Sequence, residues 1–81
     1  MIHEWSLIFS DSARRDFQNL PKAKRRRVMA MINKLLRGEK EIKNNLRKQG
    51  EYYKLNTGLN TIVFAAHKPS RTICILRIFH Q

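Results

Sequence analysis

The stretch that decides the fold lies between residues 10 and 38 and reads SDSARRDFQNLPKAKRRRVMAMINKLLRG. A first helix is predicted at its start, because Ser10 or Asp11 can cap a helix with a side-chain oxygen. Leu20-Pro21 interrupts this helix, since the residue before a proline disfavours helical backbone and proline itself suits the first turn of a new helix. The two helices on either side of the break are therefore predicted to form an αα-hairpin.

The second helix is predicted from about Pro21 to Arg37, and Gly38 is the expected residue just after its end. Its apolar residues recur at helical spacing, so one face of the helix is expected to be buried. The residues of this stripe are Val28, Met31, Ile32, Leu35 and Leu36.

Strands are predicted on both sides of the hairpin. Residues 4–10 alternate between apolar and polar side chains, which is typical of a half-buried strand. Residues 39–49 show no clear period and indicate an exposed loop, with room for one helical turn. Three further strands are predicted over about 51–56, 60–67 and 71–80, separated by short turns.

The predicted order of elements is therefore β-α-α-β-β-β within one domain, residues 1–81. This is an α+β fold. The last three strands follow one another on short turns and so form an antiparallel meander, which the first strand is expected to join. The result is an antiparallel-dominated, four-stranded sheet with the helical hairpin on one face. The other face is left open, and it lies beside a basic loop.

The chain carries a large positive charge, with 17 Lys and Arg against six Asp and Glu and a formal net charge of +11. Nucleic acid is the first candidate partner, because basic residues placed on phosphates release counterions. An anionic membrane and solubilising charge without a partner are the alternatives. The single cysteine excludes an internal disulfide, and no metal or cofactor is predicted. The absence of a long apolar run or a basic leader predicts a cytoplasmic protein.

The positive charge is concentrated between residues 21 and 48, which hold eleven basic and two acidic residues. Arg25, Arg26 and Arg27 are consecutive and cover most of a helical turn, so they cannot all face one ligand. Some of them are expected on a solvated helix face, with their stems over apolar surface. Lys54 lies inside the second predicted strand and is either a solvent-facing residue or a phosphate contact.

Three stretches of the chain, in this order, resemble the RelE/ParE superfamily of bacterial toxin–antitoxin systems. The first is FSDSARRDFQNLPKAKRRRVMAMINKLL, the second LRKQGEYYKLNTGLNTIVFAA and the third ILRIFHQ. They correspond to the helical hairpin with its Leu-Pro break, the second and third strands, and the last strand. His80 stands where YoeB-like members have a near-terminal histidine, and Lys54 stands where RelE-like members have a lysine in the second strand.

The resemblance implies a metal-independent endoribonuclease that cuts messenger RNA in the ribosomal A site and so inhibits translation. A ribose 2′-oxygen would lose its proton and attack the neighbouring phosphorus. His80 suits proton transfer, because an imidazole gains and loses a proton readily near neutral pH. Lys54 suits base assistance or phosphate stabilisation. The residues implied to bind RNA or the ribosome are Arg47, Lys48, Lys43, Tyr52, Arg25 and Arg26.

One position departs from the family pattern. Most nuclease members have an arginine early in the third strand to hold the scissile phosphate, and this chain has Thr61 there. Loss of one charged donor to a phosphoryl transition state typically lowers the rate by about 10²–10³, so an attenuated enzyme is one expectation. Arg77 or Arg71 is the candidate to replace the missing arginine from the last strand, and Arg77 is counted with His80 and Lys54 as catalytic.

Two other functions remain open from the sequence. A ParE-like protein would poison DNA gyrase without being an enzyme, and the missing arginine would then have no cost. A basic RNA-binding domain without activity is the third possibility. The partners implied by the resemblance are a cognate antitoxin, ribosomal RNA and messenger RNA, with no membrane partner. The expected state is a monomer or a small toxin–antitoxin hetero-oligomer.

Overall fold

The computed structural model describes residues 5–80, which form an α+β fold as predicted. The elements in chain order are β1 (Ser6–Phe9), α1 (Asp11–Gln18), α2 (Lys22–Arg37), a 3-10 helix (Lys40–Asn45), β2 (Leu46–Gln49), β3 (Tyr52–Asn56), β4 (Asn60–His67) and β5 (Thr72–His80). Of the helices within these residues, none has the length and apolar character needed to cross a bilayer.

The strands form one mixed sheet in the order β1-β5-β4-β3-β2. β1 runs parallel to β5, and every other neighbouring pair is antiparallel. The predicted meander and the addition of the first strand to it are therefore confirmed.

The predicted number of four strands is wrong, because the sheet has five. The additional strand, β2, lies within residues 39–49, which the sequence indicated as a loop. Leu46 is its only apolar residue in four, so it has no alternating pattern to recognise. As an edge strand it is also rich in charge, a common way of blocking unwanted strand pairing.

The helical hairpin forms where the sequence predicts it. Ser10, rather than Asp11, caps α1, since its Oγ accepts a hydrogen bond from the backbone N–H of Ala13 at 3.0 Å. α2 ends at Gly38, whose φ of 68° lies in the left-handed region that glycine adopts without strain.

One face of the sheet packs against the helices and is called here the inner face. Val28 and Ile32 of α2 are fully buried, as are Leu55, Ile62 and Ile75 of the sheet. The other predicted stripe residues, Met31, Leu35 and Leu36, are partly buried against this core. The opposite side, called here the open face, carries side chains that are exposed or half-buried.

A β-bulge interrupts the pairing of β4 with β5. Val63 is opposite Arg77, but the next residue, Phe64, is opposite Ile75, so Leu76 is an extra residue in β5. A bulge of this kind shifts the alternation of the strand that carries it.

The bulge decides which face the last residues of β5 occupy. Ile75, before it, is on the inner face, and after it Ile78 and His80 are on the inner face opposite Ile62 and Asn60. The residues between them, Arg77 and Phe79, are consequently on the open face.

Candidate nucleic-acid interface

A polar depression of about 300 Å³ lies on the open face, where β2, β3 and β4 adjoin the end of the 3-10 helix. Arg47 of β2 and Lys54 of β3 stand directly opposite each other within it. Both side chains are exposed. The residues lining the depression are Asn44, Asn45, Arg47, Gln49, Lys54, Asn56 and Thr61.

The lining combines two cations with neutral hydrogen-bonding groups and contains no acidic residue. Arg47 offers a planar fork of N–H donors, whereas Lys54 offers a compact ammonium group. Both side chains would attract a phosphate bound between them, and no lining residue would repel it. The depression is therefore suited to an anion with several oxygens.

The neutral lining residues supply amides and one hydroxyl. Asn44 and Asn45 end the 3-10 helix, and Asn56 closes β3, where its Oδ1 accepts a hydrogen bond of 2.7 Å from the backbone N–H of Gly58. Such groups can bond ribose hydroxyls or phosphate oxygens. Thr61, which replaces the expected arginine, also lines the depression, so the substitution falls inside the candidate site.

Two more of the predicted RNA-binding residues, Tyr52 and Lys48, lie on β3 and β2 but do not line the depression. Tyr52 faces the same side of the sheet as Lys54, and its side chain is 52% exposed. Lys48, which the resemblance implies as an RNA or ribosome contact, does not share the open face with Arg47. Strand alternation places it instead on the inner side opposite Tyr53, with its Nζ 5.9 Å from the centroid of that ring.

His80 is not brought together with Lys54. Its partner across the sheet is Asn60, on the inner face, whereas Lys54 pairs with Val63 on the open face. The His80 Nδ1 lies 3.3 Å from the Nζ of Lys24 in α2. Of the three predicted catalytic residues, His80 and Lys54 thus point to opposite sides of the sheet.

Arg77 lies on the open face in the same cross-strand row as Arg47, Lys54 and Val63. Its side chain turns toward α1, where Nε and Nη2 donate to the carboxylate of Asp16 at 2.8 and 3.2 Å. These bonds use two of the five N–H donors of the guanidinium. Arg77 is therefore part of the open face but is engaged with a carboxylate.

The remaining predicted contacts, Arg25, Arg26 and Lys43, lie on α2 and the 3-10 helix. Arg25 is half-buried on α2 and its Nη1 donates to the backbone oxygen of Gln18 at 3.4 Å. Arg26 on α2 and Lys43 on the 3-10 helix are exposed. None of the three lines the depression.

Comparison with solved structures gives high similarity across nearly the whole chain. The RelE chain of the archaeal RelE–RelB complex from Pyrococcus horikoshii superimposes with a TM-score of 0.74 at 18% identity, over 96% of each chain. The isolated E. coli RelE toxin gives 0.75 at 16% identity, over 94% of this chain and 83% of that one. This chain has the RelE fold.

The similarity is found in structure and not in sequence. The RelBE2 toxin–antitoxin complex of Mycobacterium tuberculosis gives a TM-score of 0.68 at 20% identity, covering 98% of this chain and all of that one. No protein-family model matches the sequence, and no curated protein sequence matches it. The RelE fold is therefore shared with very little conservation of sequence.

Several residues in and around the depression were not predicted from the sequence. Asn44, Asn45 and Gln49 lie in the segment predicted as a loop. Their position beside the sheet depends on β2, which the sequence did not predict. Asp16, which bonds the Arg77 side chain, was not among the predicted site residues. Its spacing of three from Ala13, a buried residue, was the one signal that it faces the sheet. Among residues 5–80, no group of His, Cys, Asp and Glu is placed to hold a metal ion.

Proposed function

We propose that this protein is the toxin of a type II toxin–antitoxin pair and an endoribonuclease that cleaves messenger RNA in the A site of the ribosome. The observation that supports this most strongly is the acid-free depression on the open face, in which Arg47 and Lys54 face each other. The RelE fold agrees with the proposal, because the similar structures are RelE toxins and their complexes with RelB.

The proposed reaction is attack of a ribose 2′-oxygen on the adjacent phosphorus. The 2′-hydroxyl loses its proton, the new O–P bond forms, and the bond from phosphorus to the 5′-oxygen breaks. The departing oxygen takes up a proton, and the other product carries a 2′,3′-cyclic phosphate. Charge accumulates on the phosphoryl oxygens during the step, so nearby cations lower its barrier.

Lys54 is the proposed centre of this stabilisation, with Arg47 holding the same phosphate. Lys54 is also the only lining residue besides Arg47 that ionises, and it can accept or donate a proton, whereas an arginine stays charged. Thr61 supplies a hydroxyl but no charge. We therefore expect slow chemistry, about 10²–10³ below that of a site with one more charged donor.

The proposed macromolecular partners are ribosomal RNA and an antitoxin. The exposed cations of α2 and the 3-10 helix offer phosphate contacts outside the depression. For the antitoxin, an apolar hollow lies on the other side of the molecule, where β1 forms an edge of the sheet. Its lining residues are Leu7, Ile8, Phe9, Arg14, Phe17, Gln18 and Met29. An apolar segment with acidic flanks would suit both this hollow and the net charge.

Induced expression in a bacterial host tests the proposal. A reporter messenger RNA that is translated should be cut within its codons. A matched reporter without a start codon should remain intact, because cleavage depends on the ribosome. Mapping of the 5′ ends at nucleotide resolution measures both. Intact messenger RNA accompanied by DNA breaks and an SOS response would replace the proposal with a gyrase poison.

A further inference from the structure

The open face carries exposed aromatic side chains as well as cations. Within residues 5–80, four large apolar side chains are exposed, and the two aromatic ones, Tyr52 and Phe79, are both on this face. Phe79 is 44% exposed and follows the buried Ile78 in β5. An aromatic ring left partly in water on a charged surface is a typical contact for a planar ligand.

Phe79 is held more firmly than a surface residue at the end of a strand requires. The buried amide of Asn60 donates to the backbone oxygen of Phe79 at 3.1 Å. The neighbouring backbone N–H of Ile78 donates to the Asp16 carboxylate at 2.9 Å. The ring is therefore carried on backbone that is fixed from both sides.

A cation supports the same ring. The guanidinium carbon of Arg77 lies 5.0 Å from the centroid of Phe79, within the range of a cation–π contact. Asp16 fixes this guanidinium through two hydrogen bonds. Arg77 is thus oriented onto the aromatic ring. It lies in the same cross-strand row as Arg47 and Lys54 but does not line the depression.

Phe79 and Arg77 lie close enough to the depression to contact a nucleotide next to one bound there. Phe79 is directly opposite Thr61, which lines it. Lys54 is on the strand beyond, so two strand spacings, or about 10 Å, separate β5 from β3. A phosphate at Lys54 would therefore have its neighbouring nucleotide within reach of the ring.

We propose that Phe79, supported by Arg77, is a stacking site for one nucleobase of bound RNA, and that Asp16 positions Arg77 for it. The inference rests on the proposed function, since RNA must first lie in the depression. It adds a specific contact for a base to the phosphate contacts. Every base has a π-face, so such a contact tolerates any sequence.

Two RNA octamers of equal length and charge test the stacking site. One is abasic at every position, and the other carries a single adenine at its centre. Because the phosphates are the same, the ratio of the two dissociation constants reports the base alone. Fluorescence anisotropy with a 5′ dye measures both. We expect the wild-type protein to bind the adenine octamer about 10-fold more tightly, within the roughly 5- to 100-fold range of one stacked base.

Phe79→Ala should reduce the ratio to about one, and Phe79→Trp should keep it. Leu59→Ala is the matched control, because Leu59 is also 44% exposed but lies in the β3–β4 turn; it should keep the ratio. The stacking site would be overturned if the ratio of dissociation constants stayed high in Phe79→Ala. It would also be overturned if the wild type bound both octamers with a ratio of one. Either result would leave the proposed phosphate site in place. Failure of the wild type to bind either RNA would overturn both.

Asp16→Asn tests the positioning role. The ratio should fall several-fold while the affinity for the fully abasic octamer is unchanged, and Asp16→Glu should restore part of the ratio. An equal loss of affinity for both octamers would show that Asp16 acts only on stability, and it would overturn this part of the inference.

Discussion

The carboxylate of Asp16 accepts three hydrogen bonds, two from the Arg77 side chain and one from the backbone N–H of Ile78. The bond from Arg77 is the main cause that lowers the pKa of Asp16 from its ordinary value, while burial acts in the opposite direction. A carboxyl with a lowered pKa stabilises the folded state above its unfolded-state pKa. That stability is lost as the pH falls through the folded-state pKa.

Asp16→Asn should lower the free energy of unfolding at pH 7 by about 1 kcal/mol, a value reduced because the arginine side of the pair is half exposed. It should also remove part of the acid sensitivity of the wild type below about pH 4. Urea unfolding at pH 7, 4 and 3 measures both effects.

The control for Asp16 is Glu41→Gln, which removes the more exposed ion pair between Lys34 and Glu41. This variant should change stability less than Asp16→Asn at pH 7. If Asp16→Asn loses stability on acidification as steeply as the wild type, the ion pair with Arg77 does not contribute as described.

Single residues also mark the limit of prediction from the sequence. Lys54 could be placed on the open face, because Tyr53 and Leu55 on either side of it are the half-buried and buried residues of β3. The face of His80 could not be predicted. Both faces of the last strand are apolar apart from Arg77, so its pattern does not reveal an extra residue.

Among the elements, β4 and β5 show most clearly what sequence can and cannot provide. The bounds of β4, Asn60–His67, coincide with the prediction, because turn residues flank an apolar run. The bulge in β5 is invisible in the sequence, since an extra apolar residue such as Leu76 does not break an apolar run. Yet this residue determines that Arg77 and Phe79 reach the open face and that His80 does not.

Ser10 connects three elements at the position of the bulge. Its Oγ caps α1 by accepting from the Ala13 N–H, and it donates to the backbone oxygen of Leu76 at 2.8 Å. The backbone N–H of Ser10 donates to Ile75 at 2.9 Å. Through its hydroxyl and its backbone N–H, Ser10 therefore holds the end of β1, the start of α1 and the extra residue of β5 together.

Ser10→Ala should lower the free energy of unfolding by about 1–2 kcal/mol, since both the helix cap and a hydrogen bond to the bulge are lost. Ser12→Ala is the matched control, because Ser12 is exposed on α1 and alanine favours helix more than serine. It should be neutral or slightly stabilising. Chemical unfolding of the two variants compares them, and equal stability of Ser10→Ala and Ser12→Ala would contradict this role.

At the scale of the whole molecule, charge is arranged unevenly. Three ion pairs within residues 5–80 use Asp16, Glu39 and Glu41, half of the six acidic residues in the chain. The open-face depression contains none of the acids. The sequence alone predicted the excess of charge and its concentration between residues 21 and 48. It could not show that Arg47 and Lys54 meet, because this contact depends on the unpredicted strand β2.

The central claim is that the depression around Lys54 is where RNA is cleaved, and ribosomes programmed with a 5′-labelled messenger RNA test it most directly. Wild-type protein should cut the RNA in the A-site codon only when ribosomes are present. Lys54→Met should be at least about 100-fold slower, whereas His80→Gln, which alters the opposite face, should lose less than about 10-fold. The reverse order, with Lys54→Met active and His80→Gln inactive, would contradict the claim.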